Sequence, residues 1–220
     1  INLIKSDKQV YAGSAKDWTD LMSYISTHDA ASDEVYEYIC SKIDIDSFTD
    51  YMICWIYSAN SDYWNIQYYQ TPGGKWKWIL YDFCWSWSNI QHDTLTYRRE
   101  SRNPCSDLLN ALLKNAKWKD KFCRRFDEIM DTVYDTDRVL ALIDEIYAQV
   151  EPEIAREREK FNGATFMGVE QFDEVRGTYD KFVKQVEGMR KFARERRAYV
   201  EQHLKQELRL SDAYMQEVFG

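Results

Sequence analysis

Asp62, Asn65 and Asp82 are the residues of this chain whose types and spacing could do chemistry. They lie in residues 58–88, SANSDYWNIQYYQTPGGKWKWILYDFCWSWS. Two short aromatic runs, 66–70 and 75–80, flank Thr71-Pro72-Gly73-Gly74, turn chemistry that closes a β-hairpin. Asp62 precedes the first run in a polar loop with Asn60 and Asn65, and Asp82 follows the second between Tyr81 and Phe83. Antiparallel pairing lays the start of one strand beside the end of the other, so the two acids are expected to meet although they are far apart in number. Two carboxylates with an amide neighbour suit a hard, oxygen-seeking divalent cation. One carboxylate near an incoming hydroxyl and a second holding Mg²⁺ is also the minimum set for phosphoryl transfer. On spacing alone the plainer reading comes first: Asp62 and Asn60 as turn residues, Asp82 as a cap for the segment after it.

The elements that must position this stretch read as helices. Ser14-Ala15-Lys16-Asp17 opens one helix, with Trp18, Leu21, Met22 and Ile25 at helical spacing and an end near His28. Ser32-Asp33 caps a second. Asp46-Ser47 starts a third, whose Phe48, Tyr51, Met52, Trp55 and Ile56 cover more than one stripe, as in a central buried helix. All residues before Asp62 are read as helical. After Asp82, residues 92–104 carry Arg98, Arg99, Glu100 and Arg102 and are read as a polar loop, either functional or an ordinary connection. From Ser106 onward the pattern is helical almost to the end. A kink or restart is expected at Pro152 and a stop at Asn162-Gly163. Residues 172–208 read as one or two long charged helices, with Asp173–Arg176, Glu187–Lys191 and Glu201–Lys205 as expected surface ion pairs.

Composition narrows the function classes. A chain of 220 residues with 45% hydrophobic and 15% aromatic residues can bury a sizeable core, which rules against disorder despite 30% charge. A net charge of −8 argues against non-specific binding of nucleic acid, which draws on a basic surface. Five cysteines, at 40, 54, 84, 105 and 123, form no CxxC pair and leave the redox compartment open. Cys40 and Cys54 sit at apolar helix positions and read as small buried hydrophobes. His28, His92 and His203 are scattered and offer neither a triad nor a zinc pattern, and Ser86 and Ser88 lack a base at readable spacing. No apolar run is long enough for a membrane span. An opening Ile1 in place of Met fits a processed protein or a piece of a longer one, from which a removed export signal would not be visible.

The sequence resembles the CotH kinase family, the spore-coat protein H family of atypical protein kinases. The resemblance rests on Asn60, Asp62 and Asn65, then Tyr68-Tyr69, Gly74-Lys75-Trp76 and Tyr81-Asp82-Phe83, with further similarity over 107–158 and 192–204. It implies Asp62 as the catalytic base, Asp82 as the metal ligand with Asn65 assisting, and Mg²⁺ and ATP as cofactors. It also implies a Ser/Thr-bearing surface or coat protein as substrate, at a spore coat or cell surface. The fold class expected is mainly α with a small β-hairpin, an atypical-kinase-like C-lobe over 1–162 with a helical extension over 163–220 packed on it as one continuous domain. Oligomeric state and substrate identity stay open.

Three departures limit the enzyme reading. Asn65 stands three positions after Asp62, closer than kinases usually place it. Cys84 stands where the family often has a second oxygen ligand, and a thiol is a poor Mg²⁺ ligand. A phosphate-covering glycine loop and a strand lysine have no candidates, so the chain reads as a C-terminal lobe, expected to be inactive alone. The alternative is a non-catalytic coat or surface assembly module, or one binding carbohydrate or peptide. For the latter, Trp64, Trp76, Trp78, Trp85 and Trp87 would form a platform, although Trp76 and Trp78 share one strand face and fit a core equally well.

Overall fold

The expected turn closes the expected hairpin. In the computed structural model, which describes residues 1–5, 9–62, 64–101, 103–161 and 179–220, strands β3 (Gln67–Gln70) and β4 (Trp76–Ile79) pair antiparallel, with Gln67 opposite Ile79 and Gln70 opposite Trp76. The turn between them carries a 2.9 Å bond from Gly74 N to Thr71 O, and Gly73 takes φ +71°. Pro at the first central position and a left-handed Gly at the second make this a type II turn.

The hairpin is half of a larger sheet. Strands β1 (Asn2–Lys5) and β2 (Gln9–Ala12) give a four-stranded antiparallel sheet in the order β2-β1-β3-β4. This corrects the helical reading of the residues before Asp62. Four-residue strands carry too little alternation to be read, and β1 exists because Asn2 to Lys5 pair with Gln70 to Gln67, more than sixty positions on. One face of the sheet is apolar: Ile4, Tyr68 and Trp76 are fully buried and Trp78 nearly so. Against it lies Trp18, 4.5 Å from the Tyr68 ring and 5.7 Å from Trp76.

The helices on that face are α1 (Lys16–Thr27), α2 (Asp33–Lys42) and α3 (Ile45–Tyr57). Ser32 and Asp44 cap the latter two by accepting from Val35 N and Ser47 N. From Phe48 to Tyr57 only Asp50 and Cys54 escape burial, so α3 is the central helix its pattern predicts. Its first turn also covers the sheet edge: Asp44 N donates to Trp76 O at 2.8 Å, and Trp78 N donates to Ser47 Oγ at 3.2 Å.

Then come α4 (Thr94–Glu100), α5 (Pro104–Leu112), α6 (Ala116–Thr132), α7 (Thr136–Phe161), α8 (Tyr179–Leu208) and α9 (Asp212–Phe219). Thus most of the 92–104 stretch is helix rather than loop. Asp93 caps α4 through Thr96 N, while Leu95 and Arg98 turn inward, so a charged sequence hides a buried face. Helix α7 runs through Pro152 without a break. The proline is exposed, where water serves the carbonyl that loses its donor. Phe192, Val200 and Leu204 of α8 join the main core. Two expected ion pairs are replaced by others: Glu187 pairs with Arg190, and Glu201 with Arg197 at 2.7 Å, because each arginine reaches its acid within one turn. Asp173–Arg176 and the seam at 162–168 lie outside the described residues. Among those residues no helix is long and apolar enough to cross a membrane.

Candidate functional site

The acid loop begins where α3 stops. Ala59 takes φ +54° and turns the chain, and the buried Asn60 fixes it, its main-chain N bonded to Trp55 O at 3.2 Å. Asn60 Oδ1 accepts from Asp62 N at 2.8 Å, and Asp62 Oδ1 accepts from Trp64 N at 2.8 Å. These are side-chain turns of the type asparagine and aspartate favour. Asn65 Nδ2 then donates to Asp62 Oδ2 at 2.7 Å and to Asp82 Oδ2 at 2.6 Å. The two carboxylates therefore share one amide and cannot be farther apart than those two bonds laid end to end. Asp82 is exposed and sits at φ +55°, a backbone conformation costly for a non-glycine residue and common at functional positions. The exposed Cys84 donates from Sγ to Asp82 Oδ1 at 3.1 Å, and that bond to an anion raises the thiol's pKa.

Beneath the loop lies an arginine. Arg98 of α4 is 2% exposed, its guanidinium 3.3 Å above the Trp55 ring, and its Nη2 donates to the main-chain oxygen of Asp62. Beside it Tyr97 Oη donates to Ser61 O at 2.9 Å. The segment after Asp82 returns over the same loop: Ser61 N donates to Trp85 O at 3.2 Å and Trp87 N to Ser58 O at 2.9 Å. A second buried arginine, Arg196 of α8, donates to Ile56 O, Tyr57 O, Ile90 O and His92 O at 2.6–2.9 Å. Two of these are the last carbonyls of α3, which have no partner within the helix.

The structure thus brings Asp62, Asn65 and Asp82 into one cluster. Both carboxylates aim at the same point, where Asn65 now places the positive edge of its amide, so a small divalent cation suits the electrostatics. The ligand atoms available to it are the hard oxygens of Asp62 and Asp82, with the Asn65 amide oxygen after a flip. Among the described residues no three His, Cys, Asp or Glu side chains gather into a metal-holding group. Magnesium fits such a sparse site, since it keeps several waters and usually takes only one or two protein carboxylates.

The family model described as CotH kinase protein matches residues 3–200. The chain belongs to the CotH kinase family. No curated protein and no solved structure matches it.

Three residues near this CotH cluster escaped the sequence reading. Lys5 ends β1 directly opposite Gln67, on the sheet end from which Asn65 and Asp82 emerge, so a strand lysine does stand at the acid end. Its signal, a lysine after the short apolar pair Leu3-Ile4 at the chain start, is too weak to find without the pairing. Arg98 and Arg196 looked like surface charge, and nothing in their spacing marks them as buried. The tryptophans divide: Trp76 and Trp78 are core, Trp87 packs 4.7 Å from Phe192, and Trp64 and Trp85 are 56% and 66% exposed beside the acid loop.

Proposed function

We propose that this chain takes part in Mg²⁺-dependent transfer of phosphate from ATP to a Ser or Thr hydroxyl of a surface or coat protein. The observation that carries the reading is the single Asn65 amide shared by the Asp62 and Asp82 carboxylates, in a chain of the CotH kinase family. Asp82, the more exposed acid, is the metal ligand, and Asn65 assists it. The bound ion would neutralise phosphate charge during transfer. Asp62 is the base. Its main chain is fixed by Asn60 and Arg98 and one carboxylate oxygen by Trp64 N, which holds the other oxygen in place to receive a hydroxyl proton. Lys5 is the cation best placed by strand register to meet phosphate oxygens.

Calorimetric titration of Mg²⁺ and ATP, with Mn²⁺ as a paramagnetic probe, tests this. Asp82→Ala should abolish metal-dependent nucleotide binding, and Asp62→Asn should keep it. Equal binding by wild type and Asp82→Ala ends the proposal. The exposed Trp64 and Trp85 favour a second reading, a carbohydrate- or peptide-binding surface module. Quenching of their fluorescence by oligosaccharide, undisturbed in Asp82→Ala, would support it.

A further inference from the structure

The face of the molecule behind α4 carries a groove with its own charge. One cavity of about 500 Å³ is lined by Arg99, Lys114, Lys119 and Arg209, against Glu100 and Glu207. A second, of about 480 Å³, is lined by Met22, Ile25, Ala30 and Ala111 together with Ser26, His28 and Asp107. Asn110 and Lys114 belong to both, so the two adjoin across α5.

Many arginines elsewhere are committed to carboxylates. Arg124 pairs with Asp120 and Glu217, Arg125 with Asp50 and Glu128, and Arg197 with Asp127, Asp131 and Glu201. In the groove Glu207 is taken by Arg99 at 2.6 Å. Among the described residues no carboxylate lies within ion-pair distance of Lys114, Lys119 or Arg209. In a chain of net charge −8, three unpaired cations around one cavity, against the one unpaired carboxylate of Glu100, are a local excess of positive charge. A single small anion would use one cavity only. An elongated site, basic at one end and part apolar, part polar at the other, matches an extended peptide.

We propose that this groove docks an acidic peptide segment, its carboxylates against Lys114, Lys119 and Arg209 and a following apolar side chain against Met22 and Ile25. Helix α4 separates the groove from the acid cluster: Arg98 reaches Asp62 on one side while Arg99 lines the groove on the other. A helix is roughly 10 Å across and an extended residue spans about 3.3 Å, so the acidic stretch would sit about three residues from the acceptor hydroxyl. Naming this peptide as part of the substrate rests on the phosphotransfer reading, whereas its binding does not.

The test is fluorescence anisotropy without nucleotide, using a fluorescein-labelled peptide of four aspartates followed by two leucines. Lys114→Glu/Lys119→Glu should bind about tenfold more weakly than wild type, and the milder Lys114→Gln/Lys119→Gln should fall between them, which covers a misfolded reversal variant. Asp82→Ala should bind the peptide as wild type does, so the docking site and the metal site fail separately. The proposal is overturned if both double variants bind like wild type, if a Gly-Ser peptide of equal length binds as well, or if inorganic phosphate at matched ionic strength displaces the peptide.

Discussion

Arg196 and Arg98 are equally hidden, and burial lowers both their pKa values to about 10, yet they are used differently. Arg196 spends Nε, Nη1 and Nη2 on four carbonyl oxygens and closes the end of α3. A cation there also faces the negative end of the helix dipole. Arg98 makes one such bond, to Asp62 O, and among the described residues its Nε and Nη1 have no acceptor. Its charge rests on the Trp55 ring instead. A buried cation with four of its five N–H groups bonded is structural. One left with a single such bond beneath a loop of acids costs stability, which the placement of that loop explains.

The largest effect should come from breaking the satisfied clamp. Arg196→Met removes four bonds and leaves the Tyr57 and Ile90 oxygens without a donor, and should cost on the order of 4 kcal/mol in urea unfolding. Arg98→Met should cost less, about 2 kcal/mol, and Arg98→Lys, unable to stack and reach at once, should weaken metal-dependent nucleotide binding more than stability. If the two losses came out equal, the contrast between the arginines would be gone. The acids above should behave oppositely to both. Asp82→Gly removes a ligand but relieves a left-handed backbone, so stability should hold or rise by about 0.5 kcal/mol while Mg²⁺ binding disappears.

A pH series sharpens the same comparison. His92 and His203 have pKa values lowered by burial, His92 also by the Arg196 charge. A depressed folded pKa means the unfolded chain takes up the proton first, so stability should be full above about pH 6.5 and decline as pH falls towards the folded values. A His92→Gln/His203→Gln variant should flatten that slope in urea midpoints. A separate loss at lower pH belongs to Asp44 and Asp120, whose carboxyls lie below the usual range because of bonds from Ser47 N and Tyr214. Smallest of all, Arg190→Ala, which breaks surface pairs to Asp144 and Glu187, should change stability by less than about 0.5 kcal/mol.

Local chemistry made the hairpin and most helices readable. Thr71-Pro72-Gly73-Gly74 can close few turns, and α3 has too many apolar residues for anything but a centre. The meeting of Asp62 and Asp82 followed from antiparallel pairing alone. What stayed hidden depends on partners remote in number. Strand β1 takes one of its two partners, β3, from more than sixty positions on, and Arg98 is buried where Trp55 offers its face. The charges at Arg98, Arg99 and Arg102 suggested solvent, because a buried arginine and an exposed one have the same letter.

Strand β1 carries one more consequence. It lies between β2 and β3, so the two halves of the sheet become one body when the opening residues zip against a segment more than sixty positions later. Such a closure has a high entropic threshold. In refolding, α1 to α3 should gain protection from hydrogen exchange first, and the pocket that joins Asp62 to Asp82 should be among the last features to mature.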